Sequence, residues 1–195
     1  MTDLVAPAGD GHTELSEEDR DGLIPTYIAT RSELFAAEER NIVSALRRRP
    51  PVIDELLDDI YLLELHRLMF GQVWSWAGTY RRRETNIGVP PSQISEAVRN
   101  LVADARAWAE GDVFAHDELA VRFHHRLVQV HPFANGNGRL GRVAADYLAV
   151  GLGNDRFSWG ANLIIETAEL RGMYVAALQR ADRGDYSALL AFART

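Results

Sequence analysis

The chain contains no cysteine and no lysine, and all 21 of its basic residues are arginine. The first absence removes disulfides, thiolate nucleophiles, Fe–S clusters and Cys-ligated zinc. The second removes the phosphate-binding lysine of a P-loop, Schiff-base chemistry and a lysine general base. No apolar run approaches the roughly 20 residues that span a bilayer, and the N-terminus lacks the basic and apolar regions of a signal peptide. The expectation is therefore a cytoplasmic protein with no membrane partner. An excess of positive charge is also missing. The net charge of −7 sits almost wholly in residues 1–22, where Asp3, Asp10, Glu14, Glu17, Glu18, Asp19 and Asp21 face only Arg20. A protein that binds nucleic acid by neutralising phosphates shows a basic excess, so no nucleic-acid partner is expected. Chemistry is left to His, Asp/Glu, Arg, Ser/Thr/Tyr or a metal.

What is present suits one globular domain. The 195 residues are 47% hydrophobic and 25% charged, enough for a sizeable core. Residues 1–22, acidic and without period, read as a mobile N-terminal arm, and residues 23–195 as a helical domain. Thr30 or Ser32 can cap a helix to about Leu46, closed by Arg47–Arg49 and Pro50–Pro51. A second helix is expected from about Val52 to Phe70, with Ile53, Leu56, Leu57, Ile60 and Leu63 on one face. Tyr80 to Pro91 is too polar and too broken by Gly and Pro for a core helix, and is expected as a short exposed β-hairpin. Ile94, Val98, Leu101, Ala105 and Trp108 form one helical stripe. Further helices are expected over about 117–130, 139–150, 166–182 and 187–193. The fold class is all-α with one hairpin.

The informative stretch is His131-Pro-Phe-Ala-Asn-Gly-Asn-Gly-Arg139, with Arg142 one turn on. Gly136, Asn137 and Gly138 tolerate positive φ, so their N–H groups can turn inward as an anion nest. The nest opens into a helix, whose N-terminus adds unpaired N–H groups and a positive dipole end. Arg139 and Arg142 lie three apart on that helix and can reach further phosphate oxygens. One phosphate does not need so many donors, whereas a di- or triphosphate does. His131, held extended by Pro132 and anchored by Phe133, has an imidazole suited to take a proton from an attacking hydroxyl.

These residues, from His131 to Arg142, resemble the signature of the Fic (Fido) family, His-x-Phe-x-Asp/Glu-Gly-Asn-Gly-Arg-x-x-Arg, departing from it only at Asn135. Phe70-Gly-Gln-Val-Trp-Ser-Trp-Ala-Gly78 is similar to the segment before that family's flap, and Gly184-Asp-Tyr-Ser-Ala-Leu-Leu190 to its closing helix. Order and length resemble the mobile mystery protein B subgroup. The resemblance implies an all-α core that transfers AMP from ATP, with Mg²⁺, to a Ser, Thr or Tyr hydroxyl of a target protein. It implies His131 as the base and Gly136, Asn137 and Gly138 at the α- and β-phosphates. Arg139 would act on the phosphate chain and Arg142 at the γ-phosphate. Thr85, Asn86, Ile87 and Gly88 would form a flap that aligns the target. Asn135 stands where the family has a carboxylate for Mg²⁺, and an amide oxygen ligates without charge. Two alternatives follow: a catalytically weak nucleotide-binding or interaction module of a mobile element, or a phosphotransferase built on the same nest.

Other groups carry less. His124, His125 and His131 lack zinc spacing, because adjacent histidines point to different helix faces. Arg81–Arg83 reads as a solvated strand, Trp74 and Trp76 as core anchors, and Tyr174 as core or as a wall of the adenine pocket. The family's inhibitory motif, Ser/Thr-x-x-x-Glu-Gly/Asn, is missing. Its regulation would then fall to a separate inhibitory partner, or to Glu38 or Glu39 of the first helix pairing with the second arginine.

Overall fold

A computed structural model describes residues 20–195; most of the acidic arm lies outside the described residues. Helix α1 (Arg31–Leu46) starts at Thr30, whose hydroxyl accepts from Glu33 N while the Glu33 carboxylate receives the Thr30 N–H, a complete capping box. The expected second helix is two. Asp58 lies in the extended region, and its Oδ1 accepts from Ile60 N and Tyr61 N, so a new helix begins there. That divides α2 (Ile53–Leu56) from α3 (Asp59–Phe70). The break turns Leu56 and Leu57 fully inward and leaves Ile60, expected on the buried face, 66% exposed.

A 3₁₀ turn (Pro91–Gln93) leads into α4 (Ile94–Glu110), which buries Ile94, Val98, Leu101 and Ala105, as their spacing requires. Then come α5 (His116–Val130), α6 (Asn137–Gly151), α7 (Thr167–Ala181) and α8 (Ser187–Arg194). Helix α6 begins two residues earlier than expected, because Asn137 and Gly138 form its first turn rather than the preceding loop. Helices α5 and α6 pack on one another at the centre, with α4 and α8 against α5, α2 against α6, α1 on α3, and α7 on α8. The protein is all-α. Among the described residues the β geometry is limited to a single bridge between Leu23 and Trp74. The loop joining the two central helices, residues 131–136, carries the signature into the middle of the molecule.

The expected hairpin over 80–91 does not form. The backbone N–H groups of its two arms go outward instead of to each other: Arg81 N–H donates to Pro132 O on the central loop (2.9 Å) and Val89 N–H to Val130 O at the end of α5 (3.3 Å). Pro90 and Pro91 have no N–H to offer a ladder. The segment is an irregular loop lying across the α5–α6 junction.

Candidate active site

His131 closes α5. Its N–H donates to Leu127 O (3.1 Å), and its backbone is left-handed, with φ 51° and ψ 59°, rather than extended. A following proline disfavours the right-handed helical region, and a left-handed residue is how a helix end turns the chain back. The buried ring of His131 donates through Nδ1 to Val128 O (3.3 Å), since a carbonyl can only accept. The lone pair of the neutral imidazole is therefore on Nε2. Burial pushes the imidazole down to about 4; the Arg81 charge adds to this, and the bond to Val128 opposes it. At neutral pH His131 is in its proton-accepting form.

Phe133 anchors the loop. It is fully buried and stacks on His66 of α3, with ring centroids 3.8 Å apart and 8° between planes. Burying a phenyl ring contributes about 2–3 kcal/mol. His66 is itself held at both nitrogens: Nδ1 accepts from Gly78 N–H (3.0 Å), which leaves Nε2 to donate to Asn135 O (3.0 Å). Desolvation lowers this imidazole to about 3 and keeps it neutral, as that pattern needs. Asn137 is buried and spends its side chain on the loop: Oδ1 accepts from Phe133 N–H (2.9 Å) and Nδ2 donates to Phe133 O (2.8 Å). Its backbone N–H, in the first turn of α6, faces no such partner in the loop.

The N-cap of α6 is Gly136, at φ 82°, and no side chain caps the helix. A Cβ there would lie 2.7 Å from the Phe70 ring, so glycine is required by both conformation and space. Its N–H donates to Asn135 Oδ1 (2.6 Å). The N–H groups of the first turn thus present a positive end without a built-in acceptor, in the form expected of an anion nest.

The two arginines part company. Arg139 reaches α1, where its guanidinium donates to Glu38 Oε2 (2.7 Å) and lies over the Phe70 ring at 4.7 Å. The other Glu38 oxygen accepts from Trp74 Nε1 (2.7 Å). Arg142 lies over the Tyr174 ring of α7, 5.5 Å from its centroid. Glu38 is buried and meets the first arginine, not the second, which corrects the expected pairing; Glu39 is exposed. The Tyr174 hydroxyl bonds His124 Nε2 (3.0 Å) and is the nearest group to a Cβ built on Gly138, at 3.6 Å. His125 bonds Tyr186 and Asp182 (both 2.9 Å). The histidines thus go to separate partners, and no group of three or more metal-ligating side chains occurs among the described residues.

Of the flap candidates, Gly88 comes close to His131. A Cβ on Gly88, at φ 109°, would lie 2.7 Å from His131 Cβ. Thr85 Oγ1 donates to Ile87 O (2.6 Å), and Asn86, Ile87 and Gly88 are exposed. A cavity of about 430 Å³ lies elsewhere, between α1 and α3, and is lined by Asn41, Arg48, Arg67 and Gln72.

Two contributors escaped the sequence reasoning, His66 and Arg81, the latter having been read as part of a solvated strand, and Glu38 was expected on the wrong arginine. Glu38 and His66 both had a signal. Glu38 falls on the stripe of Leu34, Ala37, Asn41 and Ala45, and His66 on that of Leu62, Leu65 and Phe70, so each is a polar residue on an apolar face.

An all-α core thus places a neutral histidine beside an uncapped, glycine-opened helix N-terminus. Residues 56–149 match the model of the Fic/DOC family, and the chain belongs to that family. It is 30% identical over 137 residues to a protein adenylyltransferase Fic of Culex quinquefasciatus, covering 67% of this chain and 26% of the relative. It is 32% identical over 133 residues to protein adenylyltransferase fic-1 of Caenorhabditis briggsae, covering 66% and 24%. The chain thus spans about a quarter of the length of these relatives. Its fold matches that of a Bartonella tribocorum BepC protein solved with bound AMPPNP, with a TM-score of 0.66 at 17% identity, over 92% of this chain and 97% of that one.

Proposed function

We propose that the protein transfers the AMP group of ATP to a Ser, Thr or Tyr hydroxyl of a target protein. The observation that carries this function is the junction of α5 and α6, where a buried neutral His131 and the uncapped N-terminus of α6 share one loop. Support comes from relatives named as protein adenylyltransferases and from a structural neighbour that holds an ATP analogue. Backbone N–H groups of Asn137, Gly138 and Arg139 bind the α- and β-phosphates, opened by Gly136, and Arg142 meets the γ-phosphate. For Arg139 to share in this, its guanidinium must contact the phosphates while still paired with Glu38. Residues 85–88 align the target chain beside His131 by backbone pairing.

The target oxygen attacks the α-phosphorus and forms the new O–P bond. The bond from that phosphorus to the bridging oxygen breaks, pyrophosphate leaves, and His131 Nε2 takes the hydroxyl proton. A bound triphosphate adds negative charge near the imidazole and raises its affinity for that proton toward the neutral range. The donor set does not fit a resident Mg²⁺. Asn135 offers an amide oxygen already bonded to Gly136 N–H, and its carbonyl is bonded by His66. Mg²⁺ would arrive on the nucleotide phosphates, where it neutralises charge. The proposed location is the cytoplasm; no helix among the described residues is long and apolar enough to cross a membrane.

The bond of Asn135 to Gly136 also favours a second function, a nucleotide-binding module with weak catalysis, since no carboxylate is there to hold the metal. ATP labelled at the α- or γ-phosphate, incubated with cell lysate, separates the cases. Label from the α-position on protein is expected. Label from γ alone identifies a phosphotransferase, and ATP binding without any labelled protein identifies the binding module.

A further inference from the structure

Arg81 is buried at the foot of the loop that crosses the α5–α6 junction, whereas its neighbour Arg82 is exposed. Each nitrogen of its guanidinium serves a different carbonyl: Nε donates to His131 O (2.7 Å), Nη1 to Arg83 O (2.8 Å) and Nη2 to Val89 O (2.5 Å). Its own N–H donates to Pro132 O (2.9 Å). One residue therefore ties both arms of the 81–89 loop to the signature loop, its side chain to His131 and its backbone N–H to Pro132. The oxygens that receive it are all carbonyls, with no carboxylate among them. Burying a cation on neutral dipoles is costly, and a methionine would fill the same space without that cost. Burial accordingly lowers the affinity of this guanidinium for its proton. The left-handed backbone of His131 costs about 1–2 kcal/mol for a residue with a Cβ, and its carbonyl is held in that state by Arg81 Nε. Gly88 completes the contact, since a Cβ there would lie 2.6 Å from Arg81 Nη2 and 2.7 Å from His131 Cβ.

We propose that Arg81 is a positioning residue that holds His131 in its left-handed conformation and couples it to the loop carrying residues 85–88. Docking of a target chain on that loop is thereby transmitted to the orientation of the base. Lysine cannot substitute, because its single nitrogen cannot span three carbonyls that the planar fork reaches separately. This role rests on the proposed transfer reaction, and its test separates the two.

Wild type, Arg81→Lys, Arg81→Met and the exposed neighbour Arg82→Met are compared for AMP transfer, for ATP affinity by calorimetry, and for amide hydrogen exchange. For both Arg81 variants kcat should fall at least tenfold while ATP affinity stays within twofold. Exchange should quicken together at His131, Phe133 and Val89 but not in α4, and Arg82→Met should match wild type. Unchanged kcat and exchange in Arg81→Lys would overturn the coupling, as would a loss of ATP affinity that accounts for the whole loss of rate. Should Arg81→Met fail to fold, the lysine variant decides. Should wild type transfer nothing, the transfer function falls, and coupled exchange at 131, 133 and 89 still decides whether Arg81 clamps the loop.

Discussion

Replacing Gly136 with alanine tests the site at its narrowest point. The residue has φ 82°, and a Cβ would sit 2.7 Å from Phe70 Cε2 and Cζ and 3.3 Å from His66 Nε2. Two costs add. A residue with a Cβ in the left-handed region loses about 1–2 kcal/mol. Forcing a methyl group against a fully buried ring adds about 1–3 kcal/mol, because Phe70 has no room to withdraw. The variant should lose about 2–5 kcal/mol in all. Gly153 supplies the control, with φ 91° and nothing within 4 Å of its Cβ position. Gly153→Ala should lose only the conformational part, and the change in unfolded-chain entropy is common to both. Urea unfolding with unchanged m-values gives the two stabilities, and ATP titration should show weakened binding for Gly136→Ala alone, since the shift displaces the first turn of α6. If the two variants lie within about 0.5 kcal/mol of one another, the packing of Phe70 against Gly136 is not what shapes the nest.

Three further outcomes are expected. His131→Ala should slow transfer by about 10²–10⁴-fold, the usual contribution of a general base, with ATP affinity retained; undiminished turnover would take His131 out of the mechanism. Asn135→Asp should keep the bond to Gly136 N–H and add a charged oxygen for Mg²⁺, lowering the half-saturating Mg²⁺ concentration and raising the rate. A rate-against-Mg²⁺ curve identical to wild type would count against position 135 as a metal position. Stability should decline in acid between about pH 6.5 and 3. His66 and His124 are held neutral down to about 3 by burial, whereas in the unfolded chain they take up protons near 6.5. The unfolded state then binds more protons across that window, and stability rises with pH by up to about 1.4 kcal/mol per pH unit for each histidine. A double His66→Gln, His124→Gln variant with the same pH slope as wild type, followed by urea midpoints, would show that other groups set it.

Much was determined locally and so could be read from the chain. The stripe of Ile94, Val98, Leu101 and Ala105, the capping box at Thr30, and the glycines opening α6 are features of neighbouring residues, and periodicity and turn chemistry report them. The nest and the position of His131 beside it follow from eight consecutive residues, which is why the candidate site was legible before the fold. The break at Asp58 was legible too, as an N-cap residue, but the apolar run across it masked the signal.

Only tertiary structure decided the rest, because it depends on partners far away in the chain. Segment 80–91 carries hairpin chemistry, yet the N–H groups of Arg81 and Val89 find carbonyls at the α5 end and on the central loop and leave no ladder to form. Arg81 looked like one of three surface arginines until the backbone oxygens of His131, Arg83 and Val89 closed around it. Arg139 and Arg142 share a helix face, but α1 places Glu38 under one and α7 places Tyr174 under the other. Spacing along a helix fixes which way a side chain leaves the axis, whereas the packing of other helices decides what charge or ring it meets there.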